Sequence, residues 1–269
     1  MLDLSDQDFH RLTSFIKTKF GIDLTRKRQL ITSRMSTTIL SQGYRDFSSY
    51  VDHILTAATQ EDIETLLNKL TTNYTYFMRE QTHYDFFRNT ILPEMIHRHA
   101  RDHVLSIWSA GCSSGEEPYN ISMILMDYLG ASAAHWDTRV LATDISQRVL
   151  SAAQKGTYDL PADFPSSWKQ KYFVKENNSS LYTVAPAIRK NVIFRTFNLM
   201  DPIQFRLKFD VIFCRNVMIY FDQPTKDALV QRFYNATAPG GYLLIGHSET
   251  VNKETSPYQY LQPATYRKA

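Results

Sequence analysis

The sequence is poor in the features that mark secreted or membrane-spanning chains. Its 269 residues include two cysteines, Cys112 and Cys214, which are too few for a disulfide framework and lack the spacing of a zinc site. No apolar run approaches the roughly 18 residues that span a bilayer. The opening MLDLSDQDFH has acids where a signal peptide carries positive charge. We therefore expect a cytoplasmic protein with no direct membrane insertion.

An excess of charge of one sign is also missing. The 30 lysines and arginines against 27 aspartates and glutamates give a net charge of +3, which is too small to favour nucleic acid or a membrane surface. No extended basic and aromatic stripe points to nucleic acid either. Apolar residues make up 43% of the chain, enough to bury a sizeable core in one large or two smaller domains.

The chain up to about residue 70 has the periodicity of helices only. Ser5 can cap the first helix, and a second is predicted from about Thr25 to Ser41. Two more follow, and Thr59 and Asp62 give the last of them the spacing of a capping box. This part of the chain is predicted to form a small helical bundle.

From about residue 100, short apolar runs alternate with helical patterns, which is typical of a doubly wound α/β sheet. Residues 157–190 interrupt the alternation and predict an inserted helix with a small β-hairpin or sheet. A helix is predicted over 224–236. The predicted strands are VLSIW (104–108), VLATD (140–144), NVIFRTF (191–197), FDVIFCR (209–215) and GYLLIG (241–246).

In an open α/β sheet a ligand lies over the carboxyl ends of the strands, so polar residues there are candidate contacts. The first strand is followed by SAGCSSGEE, in which Glu116 starts a helix; alone, this is equally typical of a tight turn. Asp144 ends the second strand. It is placed either to accept hydrogen bonds from both hydroxyls of a ribose or to cap the next helix.

The next two strand ends supply Asn198 and Leu199, which suit the edge and face of an adenine, and then Arg215 and Asn216. Four such strand ends together predict a nucleoside cofactor. The sequence has no G-x-G-x-x-G. The gap from the glycines of the first turn to the acid of the second strand exceeds the roughly 20 residues of a dinucleotide fold, which disfavours a nicotinamide.

One further segment, TTNYTYFMRE, places polar groups among aromatics and is by itself typical of a linker that leads into a helix. With it, the sequence resembles the chemotaxis receptor methyltransferases of the CheR family, which methylate glutamates using S-adenosylmethionine. The resemblance covers nearly the whole chain. Its motifs are TTNYTYFMRE (71–80), WSAGCSSGEEPYNI (108–121), ATDIS (142–146), FNLMD (197–201), FCRNVMIYF (213–221) and GGYLLIGHSE (240–249).

The resemblance implies a class I S-adenosylmethionine methyltransferase fold. It places an N-terminal helical domain with linker at 1–80 and a methyltransferase domain at 81–269, with a small β-subdomain inserted at about 164–190. S-adenosylmethionine is the implied cofactor and S-adenosylhomocysteine the product. The implied cofactor contacts are Asn73, Thr75, Arg79, Glu116, Asp144, Asn198, Leu199, Arg215 and Asn216.

The implied activity is transfer of a methyl group to glutamate carboxylates of methyl-accepting receptors, which tunes signalling adaptation in bacterial chemotaxis. A glutamate with a pKa of about 4.3 is ionised at neutral pH, so no catalytic base is assigned. Arg79 and Arg215 are candidates to steer that carboxylate or to hold the cofactor's own, and Tyr220 either lines the methyl channel or packs. The alternatives are a methyltransferase of the same fold with another substrate, and a non-catalytic S-adenosylmethionine-binding regulator that docks signalling helices.

Residues 24–45 carry five basic side chains and no acid. This pattern is typical of a solvated helix; the resemblance favours a docking surface for the cytoplasmic helical domain of a receptor, formed by Arg26, Lys27 and Arg34. Lys27 and Arg34 are seven apart and are expected on one helix face.

Two other local patterns give weaker evidence of function. In some relatives the β-subdomain grips a C-terminal receptor tether peptide through a glycine-containing loop. Here the loop reads KENNSS (175–180) and has no glycine, which weakens the case for a tether. His99 and His103 lie one helical turn apart, but no cysteine or carboxylate at a supporting spacing joins them, so no metal is expected.

Overall fold

The computed structural model describes residues 2–269. Their contacts group into two compact units. One holds the residues up to Asn73 together with Tyr220–Lys226, and the other holds Tyr74–Ile219 and Asp227–Ala269. No helix among the described residues has both the length and the apolar character needed to cross a membrane. The domain bounds 1–80 and 81–269 stay a prediction.

The first unit is the predicted helical bundle. Ser5 caps the first helix by accepting from the Asp8 amide at 3.1 Å, and the capping box of Thr59 and Asp62 is present. Fully buried side chains such as Leu12 and Met35 form its core, each worth about 1.5–3 kcal/mol of burial. Its helices are α1 (Asp6–Phe20), α2 (Arg28–Ser41), α3 (Phe47–Thr56) and α4 (Gln60–Leu70).

The predicted start of α2 at about Thr25 is corrected by the structure. The Lys27 amide donates to the Leu24 carbonyl at 2.9 Å, and this turn delays the helix until Arg28. Arg26 and Lys27 therefore lie before α2, whereas Arg34 lies within it. The expectation that Lys27 and Arg34 share a face of one helix is not met, because Lys27 is the cap residue with non-helical backbone angles.

The segment Tyr220–Lys226 belongs to the helical unit although it lies far along the chain. The Asp23 amide donates to the Tyr220 carbonyl at 2.8 Å, and the Lys17 ammonium pairs with Asp222 at 2.7 Å. The Tyr220 hydroxyl donates to the Thr72 carbonyl at 2.8 Å and accepts from the Thr72 amide at 3.1 Å. Tyr220 thus has a packing and hydrogen-bonding role within this unit.

The second unit is the predicted doubly wound α/β sheet. A π-helical turn over Phe87–Ile91 joins its first two helices. Its helices are α5 (Gln81–Phe86), α6 (Leu92–Arg98), α7 (Glu116–Leu129), α8 (Gln147–Lys155), α9 (Ser166–Tyr172), α10 (Pro186–Arg189) and α11 (Gln223–Ala236), of which α11 begins in the segment just described. Its strands are β1 (Ile107–Ala110), β2 (Val140–Asp144), β3 (Thr157–Asp159), β4 (Phe173–Lys175), β5 (Leu181–Val184), β6 (Val192–Thr196), β7 (Phe209–Cys214), β8 (Thr237–Ile245), β9 (Gln259–Gln262) and β10 (Thr265–Arg267).

Seven strands form one sheet in the order β6-β2-β1-β7-β8-β10-β9. The first five are parallel, and all six residues of β7 are buried, as expected of a parallel strand covered on both faces. The strand order reverses between β1 and β7, which is where an open α/β sheet binds its ligand. The antiparallel pair β9 and β10 was not predicted from the sequence.

The interruption at 157–190 forms a separate three-stranded sheet, β3-β5-β4, together with α9 and α10. Its first strand starts at Thr157, earlier than the predicted insert at about 164. In the KENNSS loop, Asn178 takes a positive φ of 55°, a conformation that asparagine tolerates better than most residues. The loop therefore makes its turn without a glycine.

Candidate functional site

The turn after β1 wraps closely around the end of the sheet. The amides of Gly111 and Cys112 both donate to the Thr143 carbonyl, at 2.8 and 2.9 Å. Gly111 has a φ of +85°, and a Cβ there would fall 2.4 Å from the Val217 side chain. Glycine is therefore required at 111, and the turn joins the end of β1 to β2 and to the loop after β7.

Glu116 lies in the first turn of α7 and is 8% exposed. Its two carboxylate oxygens accept from the Ser114 hydroxyl at 3.1 and 2.8 Å. Burial raises the pKa of Glu116, partly opposed by that hydrogen bond. Glu116 therefore lies next to the glycine turn at the N-terminus of α7, where a helix favours negative charge.

Asp144 ends β2 and links the β1 turn to α8. One of its oxygens accepts from the Ser113 amide at 2.9 Å and the other from the Ser146 amide at 3.0 Å. The cap of α8 is Ser146, whose hydroxyl accepts from the Val149 amide, so the alternative role of Asp144 as that cap is not found. Burial raises the pKa of Asp144, and backbone amides partly oppose this.

The end of β6 lies beside Asp144, because the Phe197 amide donates to the Asp144 carbonyl at 3.1 Å. Asn198 follows, and its side-chain oxygen accepts from the Met200 amide at 3.0 Å. Leu199 is buried, and its carbonyl accepts from Arg232 at 2.8 Å. The structure therefore brings these two predicted residues to the same edge of the sheet as Glu116 and Asp144.

Arg215, just after β7, is a buried and heavily paired cation whose side chain is 2% exposed. Its guanidinium donates to Glu117 at 3.0 Å, to the Tyr84 hydroxyl at 2.9 Å and to Glu80 at 3.1 Å, and it also donates to the Arg79 carbonyl. Its Nε is buried without a hydrogen-bond partner among residues 2–269. Only that one donor is left for a ligand.

Asn216 has a positive φ of 59° and is held by two carboxylates. Its amide donates to Glu249 at 2.8 Å and its side-chain nitrogen to Glu80 at 3.2 Å. Burial would raise the pKa of Glu80, but the charge of Arg215 and the hydrogen bonds from Asn216 and the His247 amide outweigh it, so the pKa is lowered. Glu80, Glu117 and Glu249 were not predicted as site residues. The only signal for them was their presence within the resemblance motifs.

Arg79 differs from Arg215 in its surroundings. Its guanidinium donates to the Tyr74 carbonyl at 2.7 Å and lies 6.0 Å from the rings of both Tyr74 and Tyr76, which are 68% and 45% exposed. No carboxylate of residues 2–269 forms an ion pair with it. Arg79 therefore presents a cation that no acid neutralises, on the segment that also holds Thr75.

Asn73 and the basic residues belong to the helical unit. The Asn73 side-chain nitrogen donates to Asn68 at 3.2 Å. Arg26, Lys27 and Arg34 are exposed. Arg34 also donates to the carbonyls of Lys69 and Thr71, at 3.1 and 3.4 Å, where it satisfies carbonyls at the end of α4.

His99, which was considered for a metal and set aside, is paired with two aspartates. The two ring nitrogens of His99 face Asp102 at 3.0 Å and Asp210 at 2.9 Å.

Within residues 2–269, Glu80, His83 and His247 form the one group of potential metal ligands, with atoms within 4.8 Å of one another. The pKa of His83 is lowered to about 3, mainly because the ring is buried and also because it lies near the charge of Arg215 and near His247. Because Arg215 already pairs with Glu80, we assign no metal there.

The edge of the sheet has the chemistry that a nucleoside cofactor needs. A carboxylate has about four acceptor directions, and the backbone amides that donate to Asp144 occupy only part of them. The buried Nε of Arg215 is a donor that a polar ligand satisfies. The residues at the ends of β1, β2, β6 and β7 therefore fit such a cofactor.

Two family models together match nearly the whole chain. Residues 7–71 match the model described as "CheR methyltransferase, all-alpha domain". Residues 73–267 match "CheR methyltransferase, SAM binding domain". The second unit is thus an S-adenosylmethionine-binding methyltransferase domain.

Curated relatives are similar over nearly their whole length. The chain is 38% identical to "Chemotaxis protein methyltransferase" of Borreliella burgdorferi, over 99% of this chain and 96% of the relative. It is 36% identical to "Probable chemotaxis protein methyltransferase" of Rhizobium etli, over 90% and 91%. It is 35% identical to "Chemotaxis protein methyltransferase" of Escherichia coli, over 93% and 87%.

Proposed function

The chain belongs to the CheR methyltransferase family, and we propose that it transfers a methyl group from S-adenosylmethionine to glutamate side chains of methyl-accepting chemotaxis receptors. The observation that carries this proposal is the similarity to proteins named chemotaxis methyltransferases over 99% of the chain. Both parts of the family model are matched, the all-alpha domain and the SAM-binding domain. The proposed substrate class is therefore a protein carboxylate.

Six of the proposed cofactor contacts lie at the carboxyl ends of four neighbouring strands: Glu116, Asp144, Asn198, Leu199, Arg215 and Asn216. Asp144 holds ribose hydroxyls, Glu116 stands at the start of α7, and Asn198 and Leu199 take the adenine. When bound, S-adenosylmethionine supplies an activated methyl group on a sulfonium sulfur. The full proposed set is Asn73, Thr75, Arg79, Glu116, Asp144, Asn198, Leu199, Arg215 and Asn216.

Arg79 is the arginine best suited to a free carboxylate, whether that of the cofactor or of the acceptor. Its charge is not neutralised by an acid of the described residues, and it lies beside two exposed tyrosine rings. An acceptor glutamate is ionised at neutral pH, so the chain needs no general base. The chain contributes by orienting the two reactants and excluding water. Such orientation can lower the activation barrier by up to about 7–11 kcal/mol.

We propose that the receptor docks on the helical unit through Arg26, Lys27 and Arg34. All three are exposed, and the stretch 24–45 has no acid. The partner is the cytoplasmic helical domain of a chemotaxis receptor, so the proposed location is the cytoplasm. No tether peptide is part of the proposal, because the turn of the β4–β5 loop is formed by Asn178 rather than by a glycine.

Labelled methyl transfer to a receptor cytoplasmic fragment, followed by base treatment, tests the proposal. Carboxyl methyl esters hydrolyse and release volatile methanol, so we expect volatile label. Label that stays bound in base would contradict glutamate methylation and point to another acceptor group. Cofactor binding without any transfer, repeated with several receptors, would favour the alternative of a non-catalytic regulator that docks signalling helices.

A further inference from the structure

Three glutamates from distant parts of the sequence converge on the dipeptide Arg215–Asn216. Glu80 and Glu117 pair with the Arg215 guanidinium at 3.1 and 3.0 Å. The third, Glu249, acts differently, because the hydrogen bonds to its carboxylate come from backbone amides rather than from the guanidinium. It lies in the GHSE motif after β8, which has no part in the cofactor contacts proposed above.

Glu249 is 4% exposed, and its carboxylate collects three amides. One oxygen accepts from Asn216 at 2.8 Å and from Gly246 at 2.6 Å, and the other accepts from Ile219 at 3.0 Å. A buried amide left without a partner is costly, so this carboxylate determines the path of the chain from Asn216 to Ile219. Amides of Asn216, Ile219 and Gly246 give it enough donors to remain buried.

Asn216 is fixed from several sides. Its φ of +59° lies in the left-handed region, which asparagine tolerates better than most residues with a Cβ. It is also closely packed, because a Cβ on Gly246 would fall 2.8 Å from the Asn216 amide nitrogen and 2.5 Å from its side-chain nitrogen. Glu80 holds the side chain from a different segment at 3.2 Å. Asn216 is thus fixed at its backbone by Glu249, at its side chain by Glu80, and sterically by Gly246.

We propose that Glu249 is a positioning residue for the cofactor, which holds Asn216 and the start of the loop after β7 in the shape that binds S-adenosylmethionine. This inference rests on the proposed contact between Asn216 and the cofactor. Glu249 itself touches neither the cofactor nor the acceptor in this account. It acts by accepting the Asn216, Ile219 and Gly246 amides.

The test is the affinity of the full chain for S-adenosylhomocysteine, measured by calorimetry, for Glu249→Gln and its matched control Glu254→Gln. Glutamine keeps the shape but turns one acceptor into a donor that faces an amide. We expect Glu249→Gln to weaken binding roughly tenfold or more and to raise KM for S-adenosylmethionine, with KM for the acceptor unchanged. Glu254 is exposed, so its substitution should leave these constants alone.

Gly246→Ala tests the same inference from the other side of Asn216 and does not depend on the folding of Glu249→Gln. We expect it to reproduce the loss of affinity. A lower melting temperature or a lower kcat, with Kd and KM of the cofactor unchanged in both variants, would mean a merely structural role and would overturn the inference.

Asn216→Ala separates this inference from the proposal on which it rests. If it weakens binding while Glu249→Gln and Gly246→Ala do not, the contact proposed for Asn216 stands and the role of Glu249 is wrong. If Asn216→Ala itself leaves the affinity unchanged, the proposed contact between Asn216 and the cofactor is wrong. The inference about Glu249, which rests on that contact, is then wrong with it.

Discussion

Two arginines of the methyltransferase unit, which the sequence resemblance treats alike, stand in opposite environments. Arg215 is buried, with its charge neutralised by Glu80 and Glu117. Arg79 lies beside two exposed tyrosines and has no acidic partner among the described residues. A buried, paired arginine organises the surrounding chain, and an unpaired one is available to an incoming anion. A motif match therefore does not tell which role each arginine plays.

The largest expected effect separates the two arginines by stability. Arg215→Ala should cost about 3–5 kcal/mol in the free energy of unfolding, because it leaves Glu80 and Glu117 without their partner. Arg79→Ala should cost less than about 1 kcal/mol, since no ion pair is lost. Urea unfolding of both variants measures the difference, and equal losses would remove the distinction.

The environment of Asp144 is intermediate between those of Arg215 and Arg79, because backbone amides hold its carboxylate but occupy only part of its acceptor capacity. Asp144→Ala should weaken S-adenosylhomocysteine binding by about 1–3 kcal/mol, since ribose hydroxyls lose their acceptor. Calorimetry measures this, with the exposed Asp163→Ala as the control. An unchanged affinity in Asp144→Ala would show that the ribose assignment is wrong.

Like Arg79, the exposed basic residues of the helical unit are available to an acidic partner. Reversal of Arg26, Lys27 and Arg34 to glutamate should lower methylation of a receptor fragment roughly tenfold at low salt, because charge complementarity speeds association. The difference from wild type should shrink as salt rises. A matched reversal of Lys155, Lys190 and Arg206, which are exposed on the other unit, controls for net charge. Equal losses in both triple variants would contradict a specific docking surface.

The smallest expected effect concerns His99, whose positive charge is lost when pH rises. Burial would lower the pKa of His99, but its hydrogen bonds and the charges of Asp210 and Asp102 outweigh this and raise it. The protonated form is thus favoured by folding, and its contribution is present below about pH 6.5 and is lost as pH rises through the folded-state pKa. His99→Gln should therefore destabilise more at pH 5.5 than at pH 8.5. Thermal unfolding at both values checks this, and a penalty that does not depend on pH would contradict the charged pair.

Much of the fold was predictable because local chemistry determines it. The caps at Ser5 and Thr59 need only neighbouring residues, and the buried run FDVIFC matches a strand covered on both faces. The start of α2 was misplaced because a turn that leads into a helix has no distinct apolar period. The strands β9 and β10 were missed because their pairing depends on β8, which lies well before them in the sequence.

The candidate site divides in the same way. Residues at strand ends, such as Asp144, were predictable because parallel strands bring their carboxyl ends to one edge. Glu80 and Glu249 were not, because each acts on Asn216 across more than 30 residues of chain. Nothing in the local pattern of a glutamate tells which distant amide it accepts. The unequal pairing of Arg79 and Arg215 was hidden for the same reason.

The most direct test of the central claim is to map the methyl groups on a receptor fragment after reaction with the full chain and S-adenosylmethionine. Peptide mass spectrometry should place them on glutamate side chains. The signal should be absent when those glutamates are changed to alanine, and it should fall with Asp144→Ala. Methyl groups on lysine or on backbone nitrogen, or a signal that persists without the glutamates, would contradict the account.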